Sequence, residues 1–180
     1  IESLSYYQNA EWNSSLEGFA DLIQEDRKHE LAEAAQFYVG QLQHIRKEWK
    51  AAVKAFEPLM GSKNPTLDQL VFLLGDSYHQ MKGWEKSAKY YMQFAKGNEK
   101  AINADVALHN AGVAYSNLRK PDNESAIAAY ELLVAKCPSS SHLPSARLKL
   151  GIIHYEAGRF GQAQGALKQV PSSHPLKADA

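Results

Sequence analysis

The chain has 180 residues, 20 Lys+Arg balanced by 20 Asp+Glu, and a formal net charge of zero, which excludes recognition of nucleic acid or a membrane surface by bulk electrostatics. A hydrophobic share of 44% and a charged share of 22% suit a folded chain with a real core and exclude wholesale disorder. No uncharged apolar run approaches the roughly 18 residues of a membrane span, so this segment is not expected to insert into a bilayer.

Taken in chain order, the elements repeat. A small residue precedes a large side chain by four positions at Ser15/Phe19, Ala52/Phe56, Ser87/Tyr91, Ala126/Tyr130 and Ala163/Leu167, at intervals of 37, 35, 39 and 37. Trp12, Trp49, Trp84 and Phe160 stand three positions before four of these small residues, so all three tryptophans share one phase of one period. A second series runs upstream in step. Leu74-Gly75 leads to Tyr78, Ala111-Gly112 to Tyr115, and Leu150-Gly151 to His154, with Tyr38-Val39 to Leu42 as the divergent copy. Two series in register define one repeated object of about 34 residues with loops of variable length.

Each repeat reads as two helices. Leu67, Leu70, Val71, Leu74 and Tyr78 share one helical face, and Trp84, Ser87, Tyr91 and Phe94 share the next. Short turns separate the pair at Lys82-Gly83 and Ala157-Gly158-Arg159, and a turn two residues longer runs through Pro121. Breakers close the repeats at Asn64-Pro65, Gly97-Asn98, Cys137-Pro138, Pro171 and Pro175. The recurrent Ala or Ser lets two helices approach, and the ring one turn later fills the neighbouring gap. On this reading the tryptophans pack between helices, and Val39 stands where the other repeats have glycine.

The residue pattern resembles the tetratricopeptide repeat. Gly112, Tyr115, Ala126, Tyr130 and Pro138 follow that family's order, as do Leu74, Gly75, Tyr78, Trp84 and Tyr91, and Leu150, Gly151, Gly158, Phe160 and Ala163. The resemblance implies an all-α fold, a right-handed α-solenoid of antiparallel helix pairs spanning residues 1–180 as a single array. Its repeats are expected at 1–28 (truncated), 31–65, 66–100, 104–138 and 142–175. Two linkers, Cys137-Pro138-Ser139-Ser140-Ser141 and Val170-Pro171-Ser172-Ser173, are similar to those of the longer tetratricopeptide repeats of bacterial cell-envelope proteins, the outer-membrane assembly lipoprotein and the Tol-Pal accessory protein type. That likeness favours a periplasmic or outer-membrane-associated address in a bacterium, with the cytoplasm as the alternative. Beginning at Ile1, and with a further helix start near Leu176, the chain reads as part of a longer protein.

In this family the first helix of each pair lines a concave surface suited to holding a polypeptide. Mapped onto this chain, that surface carries Gln36, Gln43 and His44, then Gln69, Phe72, Asp76, His79 and Gln80. It continues with His109, Asn110, Ser116 and Asn117, and ends with Leu148, Lys149, Ile152, Tyr155 and Glu156. Amides and imidazoles can pair with a peptide backbone without demanding a charged ligand. A carboxylate clamp is not expected, because the places where it needs lysines hold His109, Gln36 and Gly40. The expected function is therefore a non-enzymatic scaffold for a peptide or protein partner. The alternative is a regulatory or oligomerisation region of a larger protein, catalytic or not. Self-association through the stack ends near Ile1–Leu4 and Val170–Leu176 is a further expectation, since a solenoid without polar caps leaves apolar ends.

No cofactor, metal or catalytic group is expected. There is no HExxH, CxxC, GxSxG or phosphate-binding glycine loop, and no two histidines stand four apart. His44, His79 and His109 recur on successive first helices, but helix axes about 10 Å apart strain shared ligation by three imidazoles. Cys137, the single cysteine, closes a helix before Pro138 and reads as packing.

Overall fold

The computed structural model describes residues 17–19, 23, 30–64, 67, 69–97 and 101–171. Trp12, Ser15, the Ile1–Leu4 end and Pro175 lie outside the described residues, as do most of the truncated first repeat and everything past residue 171. Among the described residues the regular structure is helical. In chain order it comprises α1 (Glu30–Ile45), α2 (Trp49–Phe56) with a 3-10 turn (Glu57–Leu59), α3 (Leu70–Gln80), α4 (Trp84–Gly97), α5 (Ala104–Ser116), α6 (Asn123–Lys136), α7 (Leu143–Glu156) and α8 (Phe160–Lys168). The chain separates into two compact units, residues 1–82 and 83–180, and the boundary falls in the turn after α3. In unit 1, α1 packs on α2, and α3 packs on both. In unit 2, α4 to α8 pack each on the next.

Glycine decides how closely the helices approach. A Cβ on Gly40 would lie 2.3 Å from the Phe56 ring, one on Gly112 2.5 Å from the Tyr130 ring, and one on Gly151 2.5 Å from Leu167. Phe56 and Tyr130 are wholly buried in these contacts, beside Ala52, Ala126, Ala129 and Leu133. Gly40, not Val39, is therefore the small residue of the α1–α2 pair, which corrects the expected register there by one position. Val39 matched the interval in the sequence, but the ring of Phe56 needs the absent side chain next to it.

The turns use a second device. Lys47, Lys82 and Gly158 all adopt positive φ, 62°, 58° and 71°. The chain reverses after α1 with Lys47 N bonded to His44 O at 2.9 Å and Glu48 N to Gln43 O at 2.8 Å. After α7 the same pair recurs as Gly158 N to Tyr155 O at 2.9 Å and Arg159 N to His154 O at 2.8 Å. This paired closure satisfies the last carbonyls of each first helix and demands a left-handed residue at one fixed place. Between α5 and α6 the longer turn replaces it, and Asp122 caps α6 by accepting from Ser125 N at 3.0 Å.

Trp49, Trp84 and Phe160 each open a second helix. Phe160, which shares the tryptophans' phase in the repeat, is 63% exposed. As the first residue of α8 it rests edge-on against Tyr155 at the end of α7.

Candidate functional site

In unit 1 the first helices are α1 and α3, and His44 joins them. Its Nε2 donates to Asp76 Oδ2 across 2.7 Å, and its ring stands edge-on to Trp49 with centroids 5.0 Å apart. Gln80 Nε2 reaches the other oxygen of Asp76 at 3.4 Å. His79, on the same helix as Asp76, is half-buried; burial lowers its pKa below 6.5, and the Asp76 charge opposes that shift. Gln69 sits half-buried just before α3 and makes no cap bond with its side chain. Phe72 lies half-buried on the same helix.

Two expected members of this face are engaged within the helix packing. Gln36 Nε2 donates to Ala55 O of α2 at 2.9 Å. Gln43 has its Oε1 buried with no hydrogen-bond partner. With Gly40 as the small residue, Gln43 takes the place that Tyr78 takes after Gly75. There the tyrosine hydroxyl donates to Glu57 Oε1 at 2.6 Å.

In unit 2 the first helices are α5 and α7, and a polar chain runs between them. Asn110 Nδ2 donates to Tyr91 OH at 3.2 Å, which orients the amide so that Asn110 Oδ1 faces His109 Nδ1 at 3.3 Å. His109 Nε2 then accepts from the Ser145 hydroxyl at 3.1 Å. The His109 ring stacks on His142 with centroids 4.7 Å apart and stands edge-on to Tyr130 at 6.1 Å. Burial raises the Tyr130 phenol to about 12, and its hydroxyl is buried with no hydrogen-bond partner. Ser116 and Asn117 turn back on their own helix, bonding Gly112 O at 2.9 Å and Val113 O at 2.8 Å.

The end of α7 differs from the expected mapping. Leu148 is buried at 3% exposure, so it belongs to the core and not to a ligand face; the tight α7–α8 approach over Gly151 turns it inward. Lys149, Tyr155 and Glu156 are exposed, and Ile152 is half-buried.

The structure thus brings together His44 with Asp76 and Gln80 in unit 1, and His109 with Asn110 in unit 2. His142 and Ser145, which complete the unit 2 cluster, escaped the sequence reading because they stand in a serine-rich linker. Their signal was the repeat register, since Ser145 precedes Gly151 by the interval that separates Gln69 from Gly75. Among the described residues no group of three His, Cys, Asp or Glu side chains is placed to hold a metal ion. No described helix is long and apolar enough to cross a membrane. Cys137 is a half-buried free thiol whose pKa is raised by burial and by Asp105.

Residues 145–176 match the family model of the tetratricopeptide repeat. The chain is similar to the crystal structure of BtubC (BKLC) from P. vanneervenii, with a TM-score of 0.64 at 15% sequence identity, over 91% of this chain and 73% of that one. No curated protein matches the chain. Among the described residues the fold is thus all-α, with successive helices packed as neighbours within each unit, and the repeat matched over residues 145–176 is of a type that generally mediates protein–protein interaction.

Proposed function

We propose that the chain is a scaffold whose first-helix faces hold a segment of a partner protein, in unit 2 across α5 and α7. The observation that carries this reading is the His109 cluster. Ser145, His109 and Asn110 link two first helices by hydrogen bonds while Val113 and Ile152 stay half-exposed beside them. A polar line flanked by aliphatic side chains suits an extended peptide, whose backbone needs donors and acceptors and whose side chains need apolar contact. The envelope likeness of the linkers makes envelope proteins the first place to look for the partner.

The test is site-specific photo-crosslinking in the source cell. A photoreactive residue at Val113 or Ile152 should capture one discrete polypeptide. The same residue at Ala128 or Gln164, exposed positions on the second helices, should not. Equal capture from both sets would overturn the assignment.

A further inference from the structure

We propose that unit 2 also carries a carboxylate-binding site, in the cleft where α6 and α8 flank α7. A cavity of about 240 Å³ opens there, its lining including Glu131 of α6, Arg147, Leu150 and His154 of α7, and Gln162 and Gln169 from α8 and its end. Arg147, Leu150 and His154 lie on the side of α7 that the second helices α6 and α8 flank, so the cleft is separate from the first-helix face argued above.

Two buried nitrogens in the cleft lack partners, and that of Arg147 is necessarily a donor. Arg147 donates to Gln169 O through Nη1 at a long 3.3 Å, while its Nε is buried with no partner. Nor does the guanidinium have a carboxylate within ion-pair distance among the described residues. His154 is 5% exposed, and its Nδ1 likewise has no partner. Buried polar groups in folded proteins are nearly always hydrogen-bonded, so two orphans lining one cavity call for a polar partner from outside the chain, an acceptor for Arg147 and, in the Nδ1–H tautomer, for His154 as well. The guanidinium fork matches the two oxygens of a carboxylate. Leu150 gives an aliphatic stem something to rest on.

Unit 1 differs at the two matching side chains. Glu57 and Glu131 each follow a ring seated over a glycine, Phe56 over Gly40 and Tyr130 over Gly112. In unit 1 the Tyr78 hydroxyl reaches Glu57 at 2.6 Å. In unit 2 the shorter His154 stands in the tyrosine's place, makes no such bond, and the cleft stays open. Glu131 is exposed at its edge and disfavours a bare anion. The ligand is accordingly a carboxylate on a short aliphatic stem with a hydrogen-bond donor or a free end turned toward Glu131. A peptide glutamate and a free short diacid both meet this description. At about 240 Å³ the cavity admits one side chain and is smaller than the 300–1,000 Å³ typical of drug-sized pockets.

The experiment follows the Arg147 Nε–H and Gln162 side-chain amide resonances of the full chain during titration. One arm uses glutarate against chloride at equal ionic strength. The other uses acetyl-Gly-Glu-Gly-amide against its Gln counterpart. The site predicts saturable shifts with glutarate or the Glu peptide and none with chloride or the Gln peptide. Tighter saturation by the peptide assigns the site to a protein partner, and tighter saturation by glutarate to a free acid. Arg147→Gln and His154→Tyr should each weaken binding at least tenfold. His154→Tyr installs the residue found at the matching place in α3, so its fold is safeguarded. No saturable shift in either arm, or undiminished binding by folded His154→Tyr, would overturn the site. A bound water cluster alone gives that first result.

Discussion

The same edge-to-face pair closes a first-helix turn in both units, yet it is covered in one and open in the other. In unit 1 the pair is His44 on Trp49, and α3 lies against it, so that His44 is 18% exposed and bonded to Asp76. In unit 2 the pair is Tyr155 on Phe160, 64% and 63% exposed. Local sequence sets the pairing of the two rings across the turn. In unit 1 the next first helix covers the pair and supplies Asp76. A ring's phase in the repeat therefore marks where a helix starts but does not by itself make that ring part of the core.

The largest test of this contrast compares two phenylalanines. Phe56→Ala removes a wholly buried ring from against Gly40 and should cost about 3–5 kcal/mol in urea unfolding. Phe160→Ala removes an exposed ring and should stay within about 0.5 kcal/mol of the parent. Equal losses would mean that Phe160 is core after all. A smaller contrast lies within unit 2. Alanine at Gly112 drives its methyl into the Tyr130 ring, enclosed on every side, and should cost about 1–3 kcal/mol by overpacking. Alanine at Gly151 meets Cγ and Cδ2 of Leu167, both at 2.5 Å, but that side chain is half-buried and can turn about its first side-chain bond. Rotation of that side chain should leave the variant near neutral, helped by the roughly 1 kcal/mol by which alanine favours a helix over glycine.

The repeat, the helix pairs and the longer turn at Pro121 were legible because they rest on periodicity, which a single sequence displays. The glycine contact of α1 was not, since Val39 and Gly40 both fit the interval and only the position of the Phe56 ring separates them. The turns hid for a related reason. Glycine announces positive φ at Gly158, whereas Lys47 and Lys82 take the same conformation with nothing in their chemistry to signal it. Lys47→Gly should therefore stabilise unit 1 by up to about 1 kcal/mol, because a left-handed residue with a Cβ is strained by about 1–2 kcal/mol and glycine's extra unfolded-state freedom offsets part of the relief. Loss of stability would show that the lysine side chain makes a contact worth more than the strain. Among the site residues, the first-helix positions followed from the resemblance, but their partners did not. That His44 meets Asp76, or His109 meets Ser145, depends on how adjacent first helices slide past one another, and no spacing within one helix encodes it.

The smallest effect concerns protons and separates His79 from its neighbour on α3. Burial lowers the folded pKa of His79 below its ordinary 6.5, and Asp76 only partly offsets this. Below 6.5 the unfolded chain binds the proton more readily than the folded one, so this residue's contribution is fully present above that pH. It is lost as pH falls through the lowered folded value. His79→Gln deletes the dependence while keeping a polar side chain of similar length. In urea unfolding of both proteins, the parent's advantage over the variant should be greatest at pH 7.5 and should shrink at pH 5.5. Adding Asp76→Asn removes the charge that holds the His79 pKa up, so in that background the gap should close further over the same interval. A gap that is constant across both pH values would place His79 in water, with no desolvation to report.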